Sequence, residues 1–264
     1  MRLYTSALAG VLVFSTAAAA QQSPNTQSPQ ATQRPAAPVL DPTRNRLDAL
    51  LLQWEQKMTK VETIAAQCTR ITEDKVRGRK EELVGTAKYM KPNFAALDLQ
   101  KRGNPQIYEK YICSGTYLYQ YLPQQKTLII HELPTPKSGQ VADDNLLSFL
   151  FGMKAEEAKR RYDLTLVQED KWWIYLEILP RFPADKADFK KARLVLSAST
   201  FLPRELWFMQ PTGNETKWDI PKIESGVSLD RREFSPPKPP PGWTERREKP
   251  PAAMLAPRVV RPQQ

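Results

Sequence analysis

Histidine occurs once in 264 residues, at position 131, and cysteine twice, at 68 and 113. So few imidazoles and thiols leave little material for a metal cage or an iron–sulfur site. A Ser-His-Asp triad would depend on His131 alone. Glycine is scarce as well, at 10 residues against 24 prolines, and no glycine-rich phosphate loop is present. Glu156-Glu157 and Asp143-Asp144 are adjacent pairs, whose side chains diverge on a helix. They read as helix caps and solvated faces. No metal, cofactor or catalytic activity is expected.

Uniform basic charge is missing too. The formal net charge is +10, yet residues 47–234 hold 29 Lys/Arg against 26 Asp/Glu. Most of the excess sits in the flanks, which removes the main argument for a nucleic-acid groove. What the chain does have is a core: 41% of its residues are hydrophobic and 26% charged, a balance suited to one folded domain.

Arg2, the apolar stretch from Leu3 to Phe14 and the alanines at 17–20 have the form of a secretory signal peptide over residues 1–20. The stretch is short for a membrane span. No cysteine precedes Cys68, so no lipid anchor is expected at a mature amino terminus. A periplasmic or secreted monomer is the expectation. Residues 21–41, rich in Gln, Ser, Thr, Pro and Ala, read as a disordered linker. Residues 42–235 form the expected domain. Residues 236–264 read as a disordered, Pro-rich basic tail, either solvated or drawn to an anionic envelope membrane surface.

Within the domain, Asp41-Pro42 has the form of a helix start. Leu47, Leu50, Leu51, Trp54, Met58 and Val61 follow as one apolar stripe. Period-two patterning then predicts strands near 64–74, 82–91, 94–101, 107–114, 116–122 and 127–133. A second set is predicted near 162–169, 172–180, 190–199, 203–210, 214–224 and 228–234. Between the two sets, Asp144 caps an apolar helical segment, Leu146 to Phe151, and Lys154 to Arg161 is a polar helix. The fold class is mainly β with α: a large curled antiparallel sheet, or unclosed β-barrel, with an N-terminal helix and short lid helices.

Several strands are apolar on both faces. Tyr117, Tyr119 and Tyr121 oppose Leu118 and Leu122, while Trp172, Ile174, Leu176 and Ile178 oppose Trp173, Tyr175 and Leu179. Helices can cover one face; the other needs a partner, another sheet or a lipid-like ligand. The even pair of cysteines in an exported chain permits a Cys68–Cys113 disulfide. Each also suits a small buried thiol.

A leading amphipathic helix, then Lys91-Pro92-Asn93 between strands, then Ser114-Gly115-Thr116-Tyr117-Leu118-Tyr119 with Tyr121-Leu122-Pro123, resembles the periplasmic outer-membrane lipoprotein carrier (LolA-like) superfamily. The match covers roughly residues 43–243, and Phe234 with Pro236-Pro237 and Pro241-Gly242 resembles the family's closing segment. The resemblance implies an unclosed barrel whose helices form a lid over an apolar cavity that holds acyl chains of lipids or lipoproteins. Lys91 stands where the family has an arginine that ties barrel to lid, and lysine lacks that residue's planar fork. Leu147, Phe149, Leu150, Ile174, Leu176, Leu196, Phe208 and Trp218 are the candidate lining, with Lys91 and Tyr119 at the rim. The rival expectation is an envelope structural or interaction protein with a self-filled barrel and a surface-binding tail.

Overall fold

Asn45 opens the first helix: its side chain accepts hydrogen bonds from the N–H groups of Leu47 and Asp48 at 3.0 and 3.3 Å. Asp41, expected to be the cap, instead accepts from the N–H groups of Thr43 and Arg44 and closes the turn before the helix. Both residue types can satisfy orphan N–H groups, and the one nearest the first buried leucine took the cap.

The computed structural model describes residues 39–133 and 153–248. The expected signal peptide, most of the linker, the Leu146–Phe151 helix with its Asp144 cap, and residues 249–264 lie outside them. Helix α1 (Arg46–Thr59) leads into strands β1 (Thr63–Asp74), β2 (Arg79–Met90), β3 (Phe94–Lys101), β4 (Asn104–Ser114), β5 (Tyr117–Leu122) and β6 (Thr127–Glu132). Helix α2 (Ala155–Arg161) precedes β7 (Tyr162–Glu169) and β8 (Trp173–Pro180). Helix α3 (Pro183–Asp188) is followed by β9 (Lys191–Ser197), β10 (Pro203–Met209), β11 (Glu215–Ser225) and β12 (Thr244–Glu248).

The twelve strands among the described residues make one unclosed sheet, ordered β12-β6-β5-β4-β3-β2-β1-β11-β10-β9-β8-β7. The chain runs from β1 to one edge as a meander, then starts again at the other edge and meanders back to β1. Every pairing is antiparallel except β12 on β6, which is parallel. The inner face carries α1. Leu47, Leu50, Leu51, Trp54 and Met58 pack against Ile174, Leu176, Ile178, Leu194, Leu196 and Leu206 from the β8–β10 region. Each such burial contributes roughly 1.5–3 kcal/mol. Buried Asp48 fixes α1 against α2 by accepting from Lys159 Nζ at 2.7 Å and from the Asp41 N–H at 2.9 Å. Glu55 of α1 in turn accepts from the Ala155 N–H at the start of α2, at 2.9 Å.

Two expectations near the carboxyl end are corrected. Residues 228–234 hold no strand; Arg231–Phe234 is a 3-10 turn closed by a capping box between Asp230 and Glu233. The domain also does not stop at 235, because the tail's first part is a strap across the outer face. Phe234 is buried beside Phe94, with ring centroids 5.7 Å apart. Glu233 pairs with Lys88 at 2.5 Å. Trp243 packs on the cluster of Ile112, Tyr121, Leu128 and Ile130, and the chain then adds β12 to the exposed edge of β6. The apolar outer face of β3–β6 thus has its cover, and the cover is the chain's own Pro-rich segment.

Candidate functional site

Among the described residues, helix α1 covers the inner face where β7–β11, the start of β1 and the end of β2 lie. Past β1, cross-strand register places Cys68, Gly85, Leu99 and Glu109 side by side, one per strand from β1 to β4. Leu83 and Leu99 are the buried floor there, with Ala87, Leu97, Trp218 and Ile220 packed on it. The strip continues over β4–β6 through Tyr111, Leu118 and Ile129, all partly exposed. Gly85 sits where the backbone of β3 comes closest: an added Cβ would lie 1.8 Å from the Asp98 carbonyl oxygen. Only a residue without Cβ permits that approach.

An ion pair crosses this floor. Arg70 of β1 donates to both carboxylate oxygens of Glu109 on β4, at 2.7 and 2.6 Å, over the two intervening strands. The Arg70 guanidinium also stacks 5.6 Å from the centroid of the Trp218 ring. Its Nε is buried with no hydrogen-bond partner among the described residues, so the terminal nitrogens make its side-chain pairing. Burial works to lower the Arg70 pKa, but the hydrogen bonds and charge of Glu109 outweigh it and the net shift is upward. Beside Glu109, and without Arg70 in its wall, lies a cavity of about 140 Å³, walled by Leu83, Ile107, Tyr111 and Leu122, with Glu81 and Glu109 at its polar side. A second cleft, of about 320 Å³, separates Tyr108 and Tyr121 on the outer face from Pro237 and Pro240 of the strap.

The expected lining residues divide into groups. Leu147, Phe149 and Leu150 lie outside the described residues. Ile174, Leu176 and Leu196 come together on adjacent strands, but at 1–2% exposure they are packed beneath α1. Phe208 flanks that core, and Trp218 touches both it and the floor beyond. Of the two rim candidates, Lys91 bonds the Thr59 carbonyl at 2.6 Å and Glu62 at 3.3 Å, so it ties β2 to the carboxyl end of α1. Tyr119 is on the outer face among the residues packed on the Ile112 cluster, not at a rim of the inner one.

The disulfide is corrected: both cysteines are free. They stand three strands apart, on the order of 14 Å along the sheet, where a bridge needs Cα atoms within about 7 Å. Cys68 is buried, which pushes its thiol up to about 11, and Cys113 donates to the Asn93 carbonyl at 2.8 Å. His131 contacts Gln120 at 3.5 Å and Glu248 at 3.8 Å. Among the described residues no cluster of His, Cys, Asp and Glu could hold a metal ion. No described helix is long and apolar enough to cross a membrane.

Arg70 and Glu109 escaped sequence reasoning. The available signal was parity: Arg70 shares its strand face with Ile64 and Cys68, a charge among inward positions. Its partner could not be read locally, because 39 residues separate the two.

No family model matches the sequence, and no curated protein matches it. Among solved structures the chain is similar to an uncharacterized conserved protein from Thermus thermophilus, at 12% identity over 76% of this chain and 98% of that one, with a TM-score of 0.46. It is similar to a putative outer membrane lipoprotein-sorting protein domain from Vibrio parahaemolyticus, at 12% identity over 69% and 95%, TM-score 0.36. A LolA superfamily protein from Nitrosomonas europaea is similar at 12% identity over 71% and 97%, TM-score 0.35.

Proposed function

We propose that this chain is a non-catalytic exported protein that holds acyl chains of lipids or lipoproteins against the inner face of its sheet, as a carrier or a sensor. One observation carries the reading. Helix α1 fills the inner face over β7–β11, yet Leu97, Tyr111, Leu118 and Ile129 remain partly exposed on the same face of the β3–β6 half. An exposed apolar strip on the inside of a curled sheet, interrupted at Gln120 between Tyr111 and Ile129, is a surface made for an apolar guest.

The guest's chemistry follows from energetics. Each buried methylene contributes about 0.8 kcal/mol, so a long acyl chain crossing water gains on the order of 10 kcal/mol from such a surface. No bond needs to be made or broken, and the residues required are those that exclude water. The signal-peptide form of residues 1–20 supports export, and the soluble monomer belongs to the same proposal.

Native mass spectrometry of the protein purified from its own envelope tests this. The expected spectrum shows added mass equal to an acyl lipid or lipoprotein, lost in a folded Leu97→Asp variant. A wild-type protein that carries no acyl mass and takes up none from added fatty acid overturns the reading.

A further inference from the structure

We propose that the inner site selects amphiphiles with an anionic head, a carboxylate or phosphate that takes the place of Glu109 on Arg70. This inference rests on the acyl-chain reading above and adds the class of head group to it. An ion pair on an otherwise apolar floor is a poor stabiliser, since desolvation of two charges offsets their attraction. Leu83 and Leu99 lie beneath it, where an apolar pair would pack at lower cost. The pair borders the exposed apolar strip, where a charged fork is better suited to recognition than to stability.

The two partners are not equivalent. Arg70 is the more buried, 18% exposed in its side chain against 33% for Glu109, and it is held on the Trp218 ring. Glu109 lines the cavity of about 140 Å³ beside the pair, so its carboxylate has space to turn away from the guanidinium. The fork that now binds the two oxygens of Glu109 fits any carboxylate or phosphate with the same paired geometry. A ligand anion that reaches the guanidinium as Glu109 turns into that space exchanges one charge-assisted pair for another and leaves no buried cation unpaired. A neutral head offers no such exchange. Glu81, on the same cavity, opposes the turned carboxylate of Glu109, and Lys101 at 3.9 Å from it offsets that charge.

The test uses the whole protein and four probes by calorimetry: palmitate, hexadecanol, hexadecyltrimethylammonium and inorganic phosphate. Palmitate is expected to bind about tenfold or more tightly than hexadecanol, the size of one charge-assisted hydrogen bond. Glu109→Gln removes the internal competitor and should tighten palmitate severalfold while leaving hexadecanol unchanged. Arg70→Gln should erase the preference, and Arg70→Lys should keep only part of it. Equal binding of palmitate and hexadecanol, in the wild type and in Glu109→Gln, overturns the head-group inference and leaves the acyl-chain reading standing. Preference for the ammonium head overturns it as well. So does inorganic phosphate binding as tightly as palmitate, because the chain then adds nothing. If no long-chain probe binds, both readings fall. Should Arg70→Gln not fold, the Glu109→Gln comparison decides.

Discussion

The hydroxyl of Tyr121, on the outer face of β5, donates to the carbonyl of Pro237 across 2.5 Å. Trp243 stacks against the same tyrosine, with ring centroids 6.3 Å apart. The two contacts hold a segment that cannot use backbone N–H groups at its prolines and so depends on carbonyls and side chains for its attachment.

Tyr121→Phe keeps the ring and removes the donor. A loss of about 1 kcal/mol is expected from one hydrogen bond, read as a lower urea midpoint with an unchanged slope. The loss should be accompanied by faster tryptic cleavage at Arg231 and Arg232, where the strap begins, and at Arg246 and Arg247 in β12. Cleavage at the wild-type rate would show that Trp243 and β12 hold the strap unaided.

Gly85→Ala places a methyl group 1.8 Å from the Asp98 carbonyl oxygen, a backbone atom that cannot rotate aside. The sheet must open between β2 and β3 to admit it. Destabilisation of roughly 2–3 kcal/mol is expected, measured by thermal or urea unfolding. A neutral effect would mean that this approach is looser in solution.

Both thiols are free, so the protein should run identically on gels with and without reductant. Cys68 at about 11 should resist alkylation at pH 8 in the native state and react fully once urea is added. Its raised value also sets a sign. The native state holds the Cys68 proton more tightly than the unfolded chain does, so the associated stability is present below about pH 9 and is lost as pH rises toward 11. Tyr89, Tyr121 and Tyr162, each pushed up to about 12 mainly by burial, extend that alkaline loss in the same direction. Rapid native labelling of Cys68 at pH 8 would refute the burial assigned to it.

Much of this architecture was legible because period-two alternation is local. Eleven of the twelve strands fall within a few residues of where the pattern places them. The twelfth was illegible for a physical reason: Thr244-Glu245-Arg246-Arg247-Glu248 has neither alternation nor apolar content, and it becomes a strand because β6 offers an unsatisfied edge. The Arg231–Phe234 turn was readable in principle, since Asp230 followed three residues later by Glu233 is a capping-box signature. Parity put Ile174 and Leu176 on one face of β8, and Leu196 of β9 joins them through cross-strand register, but no pattern in the strands says which stretch of that face α1 will cover.

By itself, the sequence determined that this chain folds as a large, mostly antiparallel sheet with a leading amphipathic helix and has scant material for metal or nucleophilic chemistry. Those properties depend on residue type and spacing within a dozen positions. Tertiary structure alone decided that the proline-rich segment covers the outer face, that Cys68 and Cys113 stand apart, and that Arg70 meets Glu109 on the inner floor. Each of these depends on strand order and register, which bring together residues dozens or more positions apart in the chain and leave no trace in local pattern.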